Sequence, residues 1–204
     1  HSSINKRIKR IMAYTTINKS SLHFSTKLYT GTGSAASITG VGFQPDWVWV
    51  KDRSAANSNQ ISDVLRGATK TWFTDAAAAE NTDAQRLTSF DSDGFSVGTN
   101  SSWNTNSNNY VSWNWKAGGS GVTNTDGNMN TTVTVSANTT AGFSIVTWTG
   151  DGSDETVGHG LSSAPDIFII KNREDSTDWR IGQDFVSGKK MTDGNGYYFE
   201  LNDT

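Results

Sequence analysis

Apolar and polar residues alternate over short stretches of this chain, and the alternation has the period of a strand. In Tyr110 to Lys116, Trp113 and Trp115 fall on one face and Ser112, Asn114 and Lys116 on the other, the pattern of a half-buried strand with its indoles inward. Asp46 to Lys51 is apolar on both faces, Trp47 and Trp49 on one and Val48 and Val50 on the other, which suits a strand covered on both sides. The same reading predicts strands at Phe24 to Tyr29, Gly94 to Gly98, Thr131 to Ser136 and Gly142 to Thr149, with turns at Asp93-Gly94 and Asp126-Gly127. Only Asp75 to Ala84 has helical propensity. Its Ala-rich polar pattern offers no wide apolar face, so a turn or a short surface helix is its ceiling.

The strand pattern repeats. The segment Ser37 to Arg53 recurs at Thr156 to Arg173, so that Pro45, Asp46, Lys51 and Arg53 reappear 120 positions later as Pro165, Asp166, Lys171 and Arg173. Leu28 to Gly33 matches Thr147 to Gly152, and Asp63 to Gly67 matches Asp184 to Gly188. Three blocks in one order predict a tandem repeat. Thr204 then corresponds to about Ala84, and the second copy is expected to be truncated before any counterpart of Phe90 to Lys116. The predicted division is a basic leader outside the fold at 1–12, a first β-sandwich repeat at 13–118, a Gly/Ser/Thr/Asn-rich linker with a strand at 119–140, and an incomplete second repeat at 141–204. Gly118-Gly119-Ser120-Gly121 reads as a flexible link.

Composition narrows the class to all-β. Of 204 residues 18% are charged and 11% aromatic, eight of them Trp, which fits short strands joined by polar turns into a sandwich of the jelly-roll kind. The chain has no cysteine, which removes disulfides, thiolate nucleophiles and Cys-based metal sites. Lys6, Arg7, Lys9 and Arg10 carry the leader's charge, and the remaining 13 basic against 20 acidic residues leave −7 on the body. A body that acidic is not expected to bind nucleic acid, and no apolar run reaches the ~20 residues needed for membrane insertion.

Candidate chemistry is sparse. Trp103 stands in the polar stretch Thr99 to Tyr110, and its indole with Asn104, Asn106, Asn108 and Tyr110 forms a candidate ligand-binding set. A ring face packs against sugar C–H groups while amides serve hydroxyls. The competing reading is a Trp folded back to cap the sandwich. Trp47 and Trp49 become Ile167 and Ile169 in the second copy, so they are expected to be core rather than sugar platforms. Asp91, Asp93, Asp151 and Asp154 are weak Ca²⁺ candidates, because neither acidic turn has the full loop spacing with a distal Glu. The three histidines are scattered, and no Ser-His-Asp, zinc or paired-acid arrangement stands out. The expectation is no catalytic residue and no cofactor.

The phrases Ile38 to Arg53, Ser89 to Gly98, Tyr110 to Gly119 and Ala141 to Gly160 resemble an uncharacterised repeat domain of marine bacteriophage tail-fibre-like proteins. The resemblance covers most of 13–204. It implies a concanavalin A-like sandwich and a place in a virion or extracellular appendage beside other appendage proteins; together with the repeat and the polar Trp103 loop it makes a host-surface glycan an expected partner, and analogy with fibres suggests a homotrimer. Two lesser readings are a purely structural spacer or decoration and a polysaccharide depolymerase.

Overall fold

The computed structural model describes residues 17–183 and 199–202. The basic leader and the Asp184 to Gly188 block lie outside the described residues. The fold is nearly all β, with 40% of residues in strands and 4% in helix, and its antiparallel sheets pack as a sandwich.

The strands of the first half are β1 (Phe24–Thr30), β2 (Ala36–Thr39), β3 (Trp47–Asp52), β4 (Gln60–Asp63), β5 (Lys70–Phe73), β6 (Asn81–Thr82), β7 (Leu87–Asp91), β8 (Gly94–Val97) and β9 (Asn109–Trp115). One helical turn, α1 (Ser101–Asn104), precedes β9. The larger sheet runs β1-β9-β3-β4-β5-β6 and faces the smaller sheet β2-β8-β7. Between them lies the main core of Ile38, Val48, Val50, Leu87, Phe95, Val97, Trp103 and Tyr110. Asp75 to Ala84 forms a turn, a coil and the short strand β6 rather than a helix, in keeping with its missing apolar face.

The second half comprises β10 (Val122–Asn124), β11 (Val133–Asn138), β12 (Phe143–Thr147), β13 (Ile167–Ile170), β14 (Arg180–Gln183) and β15 (Phe199–Glu200). They form two antiparallel sheets of three strands, β10-β11-β12 and β13-β14-β15. The expected flexible link is instead tied down. Gly118 N–H donates to Ser136 Oγ at 2.9 Å, Ser136 Oγ donates to Gly119 O at 2.7 Å, and Asp46 Oδ2 accepts from the N–H groups of Ala117 (2.7 Å) and Gly119 (3.2 Å). A Cβ at Gly118 would stand 2.7 Å from the Ala137 carbonyl oxygen, so glycine here permits close backbone approach rather than freedom.

Strand β9 alternates as expected, but with the faces exchanged. Ser112 and Asn114 are fully buried, whereas Trp113 and Trp115 are half-buried on the other side. The donors of this polar face find partners inside: Asn114 Nδ2 donates to Ser112 Oγ (3.0 Å) and Ser25 O (3.0 Å), while Asn114 Oδ1 meets none among the described residues; on the neighbouring β4 and β5, Ser62 Oγ pairs with Thr71 Oγ1 at 3.2 Å. The indoles form an aromatic layer that receives the second half. Trp49 meets Trp113 edge to face at 6.0 Å, and Phe143 from β12 packs on Trp115 (6.1 Å) and Trp47 (6.3 Å). Beside them Ile61, Trp72 and Trp179 make a second core, with Trp179 donating its Nε1–H to Phe73 O at 2.8 Å.

The hairpins β3-β4 and β13-β14 share one register. Trp47, Val48, Trp49 and Val50 face Asp63, Ser62, Ile61 and Gln60. Ile167, Phe168, Ile169 and Ile170 face Gln183, Gly182, Ile181 and Arg180, every partner displaced by 120 positions. The turns after β3 and β13 match as well. Asp52 Oδ1 accepts from the N–H groups of Ser54 and Ala55, and Asn172 Oδ1 from those of Glu174 and Asp175. Asp and Asn are favoured at such positions because the side chain closes the turn itself.

Candidate functional site

The Thr99 to Tyr110 stretch folds inward. Asn100 caps α1 by accepting from Ser102 N–H, and this one turn directs Trp103 and Asn104 into the sandwich. Trp103 has no exposed surface; its Nε1–H donates to Gln60 Oε1 at 2.8 Å and its ring meets Phe95 edge to face at 6.4 Å. Asn104 is equally buried, its Nδ2 donating to Gly98 O (2.8 Å) and Ser34 O (2.6 Å) while its Oδ1 accepts from Thr32 N–H (2.7 Å). Tyr110 donates to Ser101 O at 2.9 Å, accepts from Thr105 N–H and stacks on Tyr29 at 5.0 Å. Burial pushes the phenols of both Tyr29 and Tyr110 up. Asn108 is half-buried and donates to Asp52 Oδ2 at 2.9 Å, which leaves only Asn106 of the five exposed. The set is therefore a cap on the sandwich end, and its indole presents no face to a ligand.

Three of the four acids in the acidic turns are likewise occupied by hydrogen bonds within the protein. Asp91 accepts from the hydroxyls of Ser89 (2.8 Å) and Ser96 (2.6 Å), and Asp151 accepts from Ser153 N–H at 2.9 Å. Asp93 accepts from Gly40 N–H (2.9 Å) and Gly42 N–H (2.7 Å), and those two bonds lower its carboxyl below the usual range. Asp154 is exposed. No group of three or more His, Cys, Asp or Glu side chains gathers at metal-binding distance among the described residues.

A different place gathers aromatic and charged side chains. Where β5 and β6 meet the second half, a cleft of about 880 Å³ is lined by Lys70, Trp72 and Glu80 from one side and Trp148, Lys171 and Arg173 from the other. Trp148, just past β12, is 37% exposed. Trp72 is buried, pressed between the Arg66 guanidinium at 3.6 Å over its ring and Trp179 at 5.4 Å, and its Nε1–H has no hydrogen-bond partner among the described residues. The volume lies in the ordinary range for small-molecule sites, although polar and charged side chains make up most of the lining and Trp148 is its one partly open aromatic.

Glu80 organises the charges. Its Oε2 accepts from Arg173 Nε (3.2 Å) and Arg66 Nη1 (3.4 Å), its Oε1 from Arg173 Nη2 (3.2 Å), and Lys70 Nζ stands 3.8 Å away. Burial pushes this carboxyl up, yet the hydrogen bonds and charges of Arg173 and Arg66 outweigh it and hold the group below the usual range. Burial lowers the Lys171 ammonium, against the charges of Asp178 and Asp175. Below the cleft Arg66 is anchored to Asp63 by a buried pair at 2.5 Å.

The cleft escapes a strand-by-strand reading because its two walls are about 70 to 100 positions apart in the chain. One signal was present: Trp148 replaces Tyr29 in the repeated block, and Tyr29 turns its hydroxyl inward to Trp103 O at 2.9 Å. No curated protein and no solved structure matches the chain. A family model described as Domain of unknown function (DUF7483) matches residues 19–204, and the chain belongs to that family.

Proposed function

We propose that this protein is a non-enzymatic binding module of a virion or extracellular appendage, of the tail-fibre kind, that contacts host-surface glycans through the cleft between Trp72 and Trp148. The observation that carries the reading is the partly open Trp148 indole beside the cations Lys70, Lys171 and Arg173 and the acceptors Glu80 and Glu174. Sugar rings present C–H faces to indoles and hydroxyls to charged groups, so this pairing of surfaces suits them. A single shallow cleft binds weakly, and repetition along an appendage raises the avidity by orders of magnitude.

The tandem-repeat reading is supported by the 120-position identity of the two hairpin registers and of the turns that follow them. A concanavalin-like or jelly-roll arrangement and a trimeric assembly belong to the same proposal. A depolymerase fits less well, because Glu80 is held as an anion by three cations and so makes a poor proton donor.

The spacer reading has one observation in its favour. Trp179 and Arg173 fasten the second half to Trp72 and Glu80 of the first, which suits a rigid connector. An artificially multivalent form of the chain on a broad glycan array separates the two readings. Reproducible hits that disappear in Trp148→Ala support the adhesive reading. Hits that persist in that variant move the site elsewhere, and silence from folded protein favours the spacer.

A further inference from the structure

Histidine is the side chain whose charge changes near neutral pH, and both described histidines, His23 and His159, border the sheet β10-β11-β12. His23 stands half-buried at the entrance to β1, with its Nδ1 3.1 Å from Asn138 Nδ2 at the end of β11. The Asn138 amide has one orientation only. Its Oδ1 accepts from Ala141 N–H at 3.0 Å and its Nδ2 donates to Lys116 O at 3.1 Å, and a main-chain N–H can only donate while a carbonyl can only accept. The second proton on Nδ2 therefore goes to His23, whose Nδ1 is the bare, accepting nitrogen of a neutral ring. His23 O also accepts from Lys116 N–H at 2.8 Å, so this one amide ties the end of β11 to the outer ends of both β1 and β9.

His159 is fixed in the same state by a simpler contact. Its Nδ1 accepts from Leu161 N–H at 3.1 Å, closing a turn in which Gly160 has φ +68°. A Cβ at Gly160 would stand 2.8 Å from Val135 Cγ1 and 3.1 Å from Ala137 Cβ, so this turn too is pressed against β11. Lys19 and Lys116 are the charged side chains on the segments that meet His23. Asp154, Glu155 and Asp166 flank His159 in the chain, and Asp126 adjoins the Gly127–Val157 bridge. The stretch 128–150, which holds β11 and β12, has no titratable side chain.

We infer that the two imidazoles form a proton-sensitive attachment of the sheet β10-β11-β12 to the first half. While both rings are neutral each Nδ1 accepts. A ring that takes up a second proton turns an N–H toward a donor, and the contact changes from a hydrogen bond to a repulsion. The attachment is thus complete with neutral rings and weakens as acid charges them. The loss is local. Phe143 on Trp115 and Trp47, and Ser136 on Gly118 and Gly119, seat this sheet beside the His23 contact, whereas the main core of the first half includes no histidine. Mild acid therefore loosens the cover over the aromatic layer and leaves the first sandwich closed.

The test is amide exchange on the full chain at about pH 7.5 and about pH 5, read as protection factors so that the intrinsic pH dependence of exchange cancels. Protection at Leu161 and across 133–138 and 143–147 is expected to fall roughly three- to tenfold at the lower pH, with β3 and β4 unchanged. In the double variant His23→Asn, His159→Asn an amide oxygen takes the place of each Nδ1 without titrating, so the protection is kept and the pH step disappears. Asn138→Asp placed on His159→Asn reverses the sign. Its carboxylate receives the charged His23 ring, and 133–138 is better protected at about pH 5 than at about pH 7.5. Glu80 stays ionised through this range, because its carboxyl is held below the usual one. A natural chain without the step overturns the inference, as does a step that persists in the double variant or an Asn138→Asp chain that still loses protection in acid. Glycan binding through the Trp148 cleft is a separate reading and stands or falls on its own test.

Discussion

The two hairpins β3-β4 and β13-β14 have one register and opposite environments. In the first, Val48 and Val50 are fully buried against Phe95 and Leu87, and the Trp47 and Trp49 face is half-covered by Phe143. In the second, three of the four β13 residues are exposed. The same local pattern thus yields a core strand or an edge strand according to what is laid beside it, and stability should divide along that line.

The largest effect is expected in the closed half. Trp103→Ala removes a fully buried indole and strands Gln60, whose amide nitrogen already lacks a partner among the described residues, so urea unfolding should show a loss of about 3–5 kcal/mol. Arg66→Ala leaves the buried Asp63 carboxylate with its backbone hydrogen bonds but no cation and loosens Glu80 at once; a loss of roughly 3 kcal/mol in the same assay is expected. Trp179→Ala sharpens the comparison. It should raise amide exchange across β13 to β15 and leave β1, β3 and β9 protected, because it removes the ring that seats the second half on Trp72. If protection falls equally in both halves, they are one cooperative unit.

The interface also sets a pH dependence. Glu80 has a depressed carboxyl in the folded protein, so its contribution is complete above the ordinary glutamate range and is lost as pH falls through the lowered value. Acid titration followed by exchange at β13 to β15 should show this loss, and Glu80→Gln should remove it. The smallest effect on stability is expected at Trp148→Ala, within about 0.5 kcal/mol by denaturation, since the ring is partly in solvent. Its consequence should appear in glycan binding instead.

Much of the strand pattern was legible. Phe24 to Tyr29, Trp47 to Lys51 and Tyr110 to Lys116 each lie within one residue of the observed strands, because β-branched and aromatic content with period-two alternation marks them well. Strands β4 and β5, Gln60–Asp63 and Lys70–Phe73, were not foreseen. Their buried Gln60, Ser62, Asp63 and Thr71 look like loop residues until the inward bonds of Ser62 to Thr71, Asp63 to Arg66 and Gln60 Oε1 to Trp103 are known. The same cause inverted the faces of β9, where buried Ser112 and Asn114 depend on bonds invisible in the chain itself. For the candidate site, Trp103 drew attention by its polar neighbours, but those neighbours are the caps and turns that fold it inward. The cleft at Trp148 depends on contacts between distant segments, which no local pattern encodes.

The pairing of Phe24 directly with Trp115 has a mechanical consequence. The chain enters β1 and leaves β9 at the same end of one ladder, about one strand spacing apart. Tension carried along the polypeptide therefore meets that ladder at its first rung and peels it pair by pair, rather than loading all seven rungs in parallel. Under a pull the first half behaves as a lobe held beside the line of force, and it yields by unzipping from the end where its two strands meet.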